Sequence, residues 1–304
     1  MKIKVAVLCG GPSPEYNVSL ASGEEVLQNL NSAKFNAHKI VISRNGGFSP
    51  LSLKGEYDLA FLALHGPFGE DGTLQNILDE TGLAYTGSSA RASRIGMDKL
   101  ASKEVFIARG IPTPQFLKVE SSEGVREFAQ IAGFPVVVKP ANQGSSVGIT
   151  VVKNKNALSK AFREAASYGP VLVEEFVAGR ELTVGILANT PLPVVEIRSR
   201  RGFFDYQAKY DPALVEEIVP APLSESQTAQ AQNLAMKAFS ALGCRGFGRV
   251  DMILRPSGEI VALEVNTIPG LTKNSLFPKE LRAQGITLED ALEKIITVAL
   301  GGER

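Results

Sequence analysis

The sequence predicts a mixed α/β and α+β chain, in which an N-terminal doubly wound unit with a parallel sheet precedes two α+β units. Continuous apolar runs at 3–8 and 58–64 alternate with helical patterns, which is typical of a parallel sheet covered on both faces. Shorter strand-like runs and helical patterns follow one another closely after residue 94. The 304 residues are enough for two or three domains. We therefore expect three interlocked domains.

The first unit spans residues 1–93 and is predicted to be Rossmann-like. It begins with a strand at 3–8, which the turn residues Gly10-Gly11-Pro12-Ser13 terminate. Its other predicted elements are a helix near 18–30, strands near 37–42 and 58–64, a helix at 72–83 and a short strand at 84–86.

The second unit spans residues 94–181 and the third spans 182–304. A helix at 98–110 opens the second unit and ends at Ile111-Pro112-Thr113-Pro114. The elements predicted after it are strands at 115–119, 135–139, 149–152 and 171–176, with helices at 122–132 and 155–167. The third unit is predicted to hold strands near 182–188, 193–198, 215–219, 246–254 and 259–265, a helix at 224–242 and a terminal helix from Thr287.

Composition and charge exclude several classes of protein. Lys and Arg total 32, as do Asp and Glu, so the net charge is zero and nucleic acid is not expected as a main partner. A hydrophobic content of 44% with 21% charged residues is that of a globular chain rather than a disordered one. No apolar run approaches the ~18 residues of a membrane helix. We therefore expect a cytoplasmic protein with no membrane partner.

A glycine loop follows a lysine at the end of a predicted strand. The loop is Gly144-Ser145-Ser146-Val147-Gly148, and Lys139 precedes it by five residues. Small residues let backbone N–H groups approach phosphate oxygens, and a lysine beside them adds positive charge. The pattern is neither a Walker A motif nor a dinucleotide-binding G-x-G-x-x-G motif. Taken alone, it also fits an ordinary hairpin turn.

Carboxylates and an amide lie on two successive predicted strands, in Arg249-Val250-Asp251 and Glu264-Val265-Asn266. Because side chains alternate along a strand, Arg249 and Asp251 share one face, and so do Glu264 and Asn266. Such an all-oxygen set suits Mg²⁺ that bridges nucleotide phosphates. The alternative is an ion pair on the sheet surface between Arg249 and a carboxylate.

A third segment, Glu174-Glu175-Phe176-Val177 followed by Glu181, lies where a predicted strand leaves its sheet. Backbone N–H and C=O groups there could bind the edge of an adenine ring, and a carboxylate a few residues later could hold ribose hydroxyls. Solvated acidic residues at the end of a strand are the alternative.

Taken together, these features resemble a known enzyme superfamily. Lys99, Lys139, the glycine loop, the 174–181 segment and the residues Asp251, Glu264 and Asn266 follow the order found in ATP-grasp enzymes. Further motifs resemble the D-alanine–D-alanine ligase family over the whole chain: Gly10 to Glu15 with Val18-Ser19, Leu64-His65-Gly66 to Gly72, Tyr85 to Ser88, Met97-Asp98-Lys99, Phe204 to Tyr210 and Glu264 to Thr272. The resemblance implies an ATP-grasp fold, in which the two α+β domains enclose the nucleotide.

The resemblance also implies a reaction. In that family the carboxylate of one D-alanine attacks the γ-phosphate of ATP, and the amine of a second D-alanine then displaces phosphate from the acyl phosphate. The products are D-alanyl-D-alanine for peptidoglycan synthesis, ADP and phosphate. ATP would be the co-substrate, with two Mg²⁺ or Mn²⁺ ions as cofactors, and a homodimer is expected.

Each family role is assigned to residues of this chain by the resemblance. The residues expected to act in catalysis are Glu15, Ser145, Tyr210, Arg249, Gly270 and Ser275. Those expected to bind the amino-acid substrates are Glu15, His65, Arg249, Gly270, Ser275 and Leu276. Those expected to bind ATP are Lys99, Lys139, Ser146, Glu174, Glu175, Val177, Glu181 and Lys209. The metal ligands would be Asp251, Glu264 and Asn266.

The second substrate is predicted from one loop. Relatives that use D-lactate lack the pair found here as Lys209-Tyr210, so we expect an amine acceptor, D-alanine. A ligase that joins D-alanine to D-lactate or D-serine, a different carboxylate–amine pair and a nucleotide-binding module without catalysis stay as alternatives. The segment near 200–215 is a candidate lid.

Overall fold

The computed structural model of the protein describes residues 2–199 and 215–301. The strands of the first sheet are parallel, as predicted, and there are four of them, in the order β2-β1-β3-β4. They are β1 (Ile3–Gly10), β2 (Phe35–Ile42), β3 (Leu59–Leu62) and β4 (Ala84–Tyr85). Helix α1 (Tyr16–Asn29) packs so closely on β1 that a Cβ at Gly23 would lie only 2.7 Å from the Cβ of Cys9. Helix α2 (Thr73–Thr81) connects β3 to β4.

Two consecutive helices, α3 (Ala90–Met97) and α4 (Lys99–Ala108), lead from the first sheet to the second. Asp98 separates them and caps α4, since its Oδ1 accepts hydrogen bonds from the N–H groups of Leu100 at 2.9 Å and Ala101 at 3.1 Å. The sequence predicted only the second of these helices. Helix α3 has only eight residues, ARASRIGM, and includes a glycine, so its helical state depends on tertiary packing.

The second sheet is antiparallel, in the order β5-β8-β6-β7. Its strands are β5 (Phe116–Val119), β6 (Val136–Pro140), β7 (Thr150–Val152) and β8 (Val171–Glu175). Helices α5 (Ser122–Ala132) and α6 (Leu158–Ala166) pack on it through a separate apolar core. The helix predicted at 155–167 starts as a 3₁₀ turn at Lys155–Ala157.

The third sheet has six strands, with β12-β11-β9-β13-β14 in order and β10 paired to β9. They are β9 (Arg180–Leu187), β10 (Thr190–Pro191), β11 (Val195–Ser199), β12 (Val215–Ile218), β13 (Phe247–Leu254) and β14 (Ile260–Asn266). Helix α7 (Glu225–Ala241) packs on it through buried alanines and Phe239. Helices α8 (Leu276–Ala283) and α9 (Leu288–Ala299) end the described chain.

The core of the first sheet extends beyond the first 93 residues. Side chains from α8 and α9 join it, together with Phe247 of β13 and Ile268. This packing sets the residues after β14 against the loops that follow β1 and β3. The domain bounds 1–93, 94–181 and 182–304 stay a prediction.

Across residues 2–199 and 215–301, no helix combines the length and the apolar composition needed to span a lipid bilayer.

Candidate active site

The glycine loop connects β6 to β7 and has an unusual backbone. Ser145 and Ser146 both have positive φ angles, of 50° and 59°, a conformation that residues other than glycine rarely adopt. The Ser145 hydroxyl donates a hydrogen bond of 2.6 Å to Oε1 of Glu15, which directly precedes α1. The loop thereby connects the second sheet to the first.

A cavity of about 310 Å³ lies between the second and third sheets. It collects most of the residues predicted to bind ATP. The predicted residues in its lining are Lys139, Ser146, Glu174, Glu175, Val177, Glu181, Asp251 and Glu264. Apolar side chains complete its walls, among them Val137, Ile149, Ile253 and Leu263. Apolar walls with a few convergent polar groups are typical of sites that bind small molecules.

A buried charge cluster lies at one wall of this cavity. Glu174 forms ion pairs with Lys139 and with Lys103, whose Nζ lies 3.5 Å from Oε1. Lys103 is fully buried and also donates a hydrogen bond of 2.8 Å to the Thr113 hydroxyl. Burial disfavours an ionised Glu174, yet the charges of Lys103 and Lys139 hold its pKa below the ordinary value. Burial lowers the pKa of Lys103 to about 8.

Lys99, at the first position of α4, bridges the second and third sheets. Its Nζ donates to the carbonyl oxygen of Gln143 at 2.7 Å and lies 3.0 Å from Oε2 of Glu264. The first contact places the ammonium group beside the glycine loop, and the second places it beside a predicted metal ligand.

The predicted oxygen-rich set forms on β13 and β14. Asp251 and Glu264 are register partners, and so are Arg249 and Asn266. Nε and Nη2 of Arg249 donate to the two carboxylate oxygens of Asp251, each at 2.9 Å, and the Thr183 hydroxyl donates to Oδ1 of Asp251 at 2.6 Å. The shared face of Arg249 and Asp251 is thus confirmed. Burial disfavours the charge of Arg249, but Asp251 raises its pKa above the ordinary value.

In the part of the chain that the structure describes, no cluster of three His, Cys, Asp or Glu side chains could hold a metal ion. The predicted set contains two carboxylates and the amide of Asn266, and both carboxylates line the cavity. Hard oxygen donors of this kind fit Mg²⁺ or Mn²⁺ when phosphate and water complete the shell.

A second polar group surrounds His65, after β3. The ring Nδ1 donates to the carbonyl oxygen of Ile268 at 3.0 Å, and Nε2 lies 2.8 Å from the Ser22 hydroxyl. A carbonyl oxygen only accepts, so Nδ1 carries a proton, and the Ser22 hydroxyl donates to Nε2 of the neutral ring. Burial lowers the pKa of His65, which favours that neutral form.

Glu70 lies beside this histidine and is buried. Its two oxygens accept hydrogen bonds from the N–H groups of Gly66 at 2.6 Å and Ile268 at 3.1 Å. Burial, followed by the negative charge of Glu15, raises the pKa of Glu70 to about 8. Glu70 therefore fixes the loop after β3 against the segment after β14.

The low pKa of His65 leads to a pH-dependent contribution to stability. The unfolded chain binds a proton on this residue below about pH 6.5, whereas folded His65 resists protonation. The wild type should therefore lose free energy of unfolding as the pH falls from 7 to 5, by up to about 1.4 kcal/mol per pH unit. His65→Gln removes the titration, so its stability deficit should narrow over that range.

Urea unfolding at pH 5, 6 and 7 checks this expectation, with His38→Gln as the control because His38 is exposed. A deficit of His65→Gln that stays constant or widens as the pH falls would contradict it.

The structure brings together three residues predicted to bind the amino-acid substrates, Gly270, Ser275 and Leu276. A Cβ at Gly270 would lie 2.7 Å from Oγ of Ser275, so these two residues pack closely. Ser275 is the N-cap of α8, and its hydroxyl forms a hydrogen bond of 2.7 Å with that of Thr272 instead of capping the helix. The side chain of Leu276 is buried against β11.

Two family models match the chain. The model described as "D-ala D-ala ligase C-terminus" matches residues 105–297, and the model described as "D-ala D-ala ligase N-terminus" matches 4–54 and 46–88. The chain belongs to the D-alanine–D-alanine ligase family.

Curated relatives and solved structures of this ligase family agree over the full length. The D-alanine–D-alanine ligase of Desulforamulus reducens is 43% identical, with 99% of both chains covered. The D-alanine–D-alanine ligase B of Chromobacterium violaceum is also 43% identical, with 98% of each covered.

Two solved structures show the same fold. The VanG D-Ala:D-Ser ligase from Enterococcus faecalis has a TM-score of 0.87 at 34% identity, covering 98% of this chain and 100% of that chain. The D-alanine–D-alanine ligase from Bacillus anthracis complexed with ATP has a TM-score of 0.84 at 31% identity, with 98% of each chain covered. The predicted ATP-grasp fold class is confirmed.

Two residues assigned from the ligase family, Lys209 and Tyr210, lie outside the described residues, as does the candidate lid near 200–215 apart from its last residue. Their roles stay predictions.

Three polar residues at this ligase-family site were not predicted, Glu70, Lys103 and Thr183, and neither was Glu280, on which the charge of Arg249 acts. Lys103 follows Lys99 by four residues and so lies on the same face of α4, a spacing that could have identified it. Glu70 lies within the motif that begins at His65. For Thr183 and Glu280 the sequence holds no comparable signal.

Proposed function

We propose that the protein catalyses ATP-dependent ligation of two D-alanine molecules through a D-alanyl phosphate, and releases ADP and phosphate. One observation carries this proposal. Arg249 is hydrogen-bonded to Asp251 in the wall of the cavity, and its charge also acts on His65 and Glu70. The guanidinium is therefore close both to the cavity and to the polar group around His65, which is where a phosphate and a carboxylate would have to meet.

In this proposal the cavity binds the nucleotide. Lys99 and Lys139, with Ser146 of the glycine loop, contact the phosphates, and Lys209 adds a further charge. Glu174, Glu175 and Val177 face the adenine, and Glu181 holds the ribose. Six of the residues predicted to bind ATP line this cavity, which supports the assignment: Lys139, Ser146, Glu174, Glu175, Val177 and Glu181.

Mg²⁺ or Mn²⁺, with two ions expected, would be held by oxygen atoms of Asp251, Glu264 and Asn266. A bound cation neutralises phosphate charge. The chain contributes further positive charge through Lys99, which lies 3.0 Å from Glu264, and through Arg249.

Glu15 would receive the ammonium group of the first D-alanine. The Ser145 hydroxyl holds the Glu15 carboxylate through the 2.6 Å hydrogen bond, and Tyr210 would extend this chain of hydrogen bonds. His65, with both ring nitrogens engaged inside the protein, would lie beside the substrate carboxylate as a neutral, fixed wall. Once the acyl phosphate forms, the second amine attacks its carbonyl carbon. Arg249 and the N–H of Gly270 would then face the oxyanion.

Ser275 and the N–H of Leu276 would receive the carboxylate of the second D-alanine at the N-terminus of α8. We further propose a homodimeric, cytoplasmic enzyme of peptidoglycan precursor synthesis.

The decisive experiment measures ADP release from ATP and Mg²⁺ with D-alanine, with L-alanine and with no amino acid, and identifies the product by mass. Stimulation by D-alanine alone, with the dipeptide as product, is expected. Bound ATP without stimulation would reject this ligation and favour a different carboxylate–amine pair or a binding module.

The identity of the acceptor is tested by competition. Equal D-alanine, D-serine and D-lactate at pH 7.5 are expected to give mainly D-alanyl-D-alanine, because Lys209-Tyr210 favours an amine acceptor. A D-Ala:D-Ser product, as the name of the Enterococcus faecalis structure states for that protein, would overturn this choice. Mainly depsipeptide would overturn it as well.

A further inference from the structure

Glu280, on α8, is a fully buried carboxyl group with no part in the mechanism above. Its Oε1 accepts a hydrogen bond of 2.7 Å from the N–H of Gly185 on β9. Its Oε2 is buried and has no hydrogen-bond partner among the residues that the structure describes. Its neighbours on the buried side of α8 are apolar, Phe277 and Leu281 among them. Because burial of a carboxyl group is costly, an apolar residue would be the ordinary choice for a contact between a helix and a sheet.

The strand is shaped to accept this side chain. A Cβ at residue 185 would lie 2.4 Å from Oε2 of Glu280, so the contact requires glycine. The hairpin with β10 is also open at this point. Leu192 donates its N–H to the Gly185 carbonyl at 2.8 Å, but its own carbonyl accepts from Nε2 of Gln232 at 3.1 Å. The Gly185 N–H is thus left for the carboxyl group of Glu280.

The contact lies next to the proposed oxyanion site. Gly185 is the register partner of Arg249 across β9 and β13, and the charge of Arg249 acts on Glu280. Burial raises the pKa of Glu280 to about 8, which weakens its competition with Asp251 for the guanidinium. A neutral side chain with an acceptor atom would make the same contact.

We propose that Glu280 is a positioning residue for the second amino-acid substrate, because it anchors α8 to the strand that carries Gly185 opposite Arg249. The anchor lies five residues after Ser275, or about 7.5 Å along the helix axis. It therefore fixes the N-terminus of α8, where the second carboxylate would bind, relative to the guanidinium. This inference rests on the proposed function.

The test compares two substitutions of similar length. Glu280→Gln keeps an acceptor for the Gly185 N–H, whereas Glu280→Met fills the same space without one. Glu280→Met is expected to raise the KM for the second D-alanine by about 10–100-fold, since a displacement near 1 Å can cost that much. The KM values for ATP and for the first D-alanine should stay within a factor of three or so of wild type. Glu280→Gln should restore the wild-type values.

Gly185→Ala gives a second check: its Cβ would meet both the Glu280 carboxyl group and the ring of Phe277 on α8, so it should displace the helix and reproduce the KM split of Glu280→Met. Glu104→Gln, an exposed change on α4, is the control. An equal increase in all three KM values of Glu280→Met, or wild-type KM values in that variant, would overturn the inference. A Glu280→Gln variant that does not recover the wild-type values would overturn it as well. An inactive wild type would overturn the proposed function as well, so the two failures are distinguishable.

Discussion

Replacing Arg249 by alanine is expected to lower kcat for dipeptide formation by about 10²–10³-fold, the usual cost of losing one preorganised oxyanion donor. One edge of the guanidinium, Nε and Nη2, donates to the two oxygens of Asp251 at 2.9 Å each, and the side chain is only 12% exposed. A donor fixed in this way needs no reorganisation as negative charge develops on the substrate.

Arg249→Lys separates geometry from charge. Lysine keeps the positive charge but cannot donate two parallel hydrogen bonds to one carboxylate, so Asp251 would lose its bidentate partner. We expect kcat to recover only in part, while ATP still binds. ADP release at saturating ATP and D-alanine, with product mass, provides the measurement.

Loss of one partner from a buried ion pair also destabilises a fold, so thermal unfolding of each variant must accompany the kinetics. Arg126→Ala is the control, because Arg126 and its partner Glu123 are both more than half exposed. A wild-type kcat in a folded Arg249→Ala protein would show that Arg249 does not stabilise the transition state.

Much of the fold could be predicted because the apolar runs are long and their period is clear. The buried strands β1 and β3 and the helix α7 begin and end within two residues of the predicted positions. Helix α8 was not among the predicted elements. It has only eight residues and includes Pro278. Packing, rather than local preference, keeps α3 and α8 helical.

The site could be predicted where its polar residues follow the two-residue alternation of side chains along a strand. Arg249 and Asp251 share a face because strands alternate, and Asp251 and Glu264 meet because β13 and β14 are adjacent. The ion pair with Glu174 could not be read in the same way, because Lys103 belongs to α4 and Glu174 to β8. Glu280 faces Gly185 through an approach between a helix and a strand almost a hundred residues apart. No local pattern encodes such a contact.

Glu174→Gln is expected to lower the free energy of unfolding by about 3–5 kcal/mol, since it leaves buried charges without their partner. Two lysines converge on this carboxylate, and the side chains of Lys103 and Lys139 are 0% and 9% exposed. Lys103→Met should cost only about 1 kcal/mol, a typical value for a point substitution, because the pair between Lys139 and Glu174 survives. Glu174→Gln is expected to cost more stability than Lys103→Met because two cations share this one anion.

The pH dependence follows from the direction of each pKa shift. Glu174 has a lowered pKa, so its stabilising contribution is present above the unfolded value near 4.5 and is lost as the pH falls through the lower folded value. Lys103, with a pKa near 8, sheds its buried charge in alkali. The difference in free energy of unfolding between wild type and Glu174→Gln should therefore be largest near neutral pH, and should become smaller at both acidic and alkaline pH.

Chemical unfolding of the nucleotide-free protein at pH 4, 7 and 9 measures this deficit, because bound ATP would add its own contribution to stability. Glu123→Gln is the matched control: its pair with Arg126 is exposed on both sides, so a change within about 0.5 kcal/mol is expected at every pH. Glu174 pairs with both buried ammonium groups, so its replacement by glutamine leaves the repulsion between Lys103 and Lys139 without this compensating charge. A deficit in the free energy of unfolding that stays level from pH 7 to pH 9 would contradict this account, because loss of the Lys103 proton should narrow it.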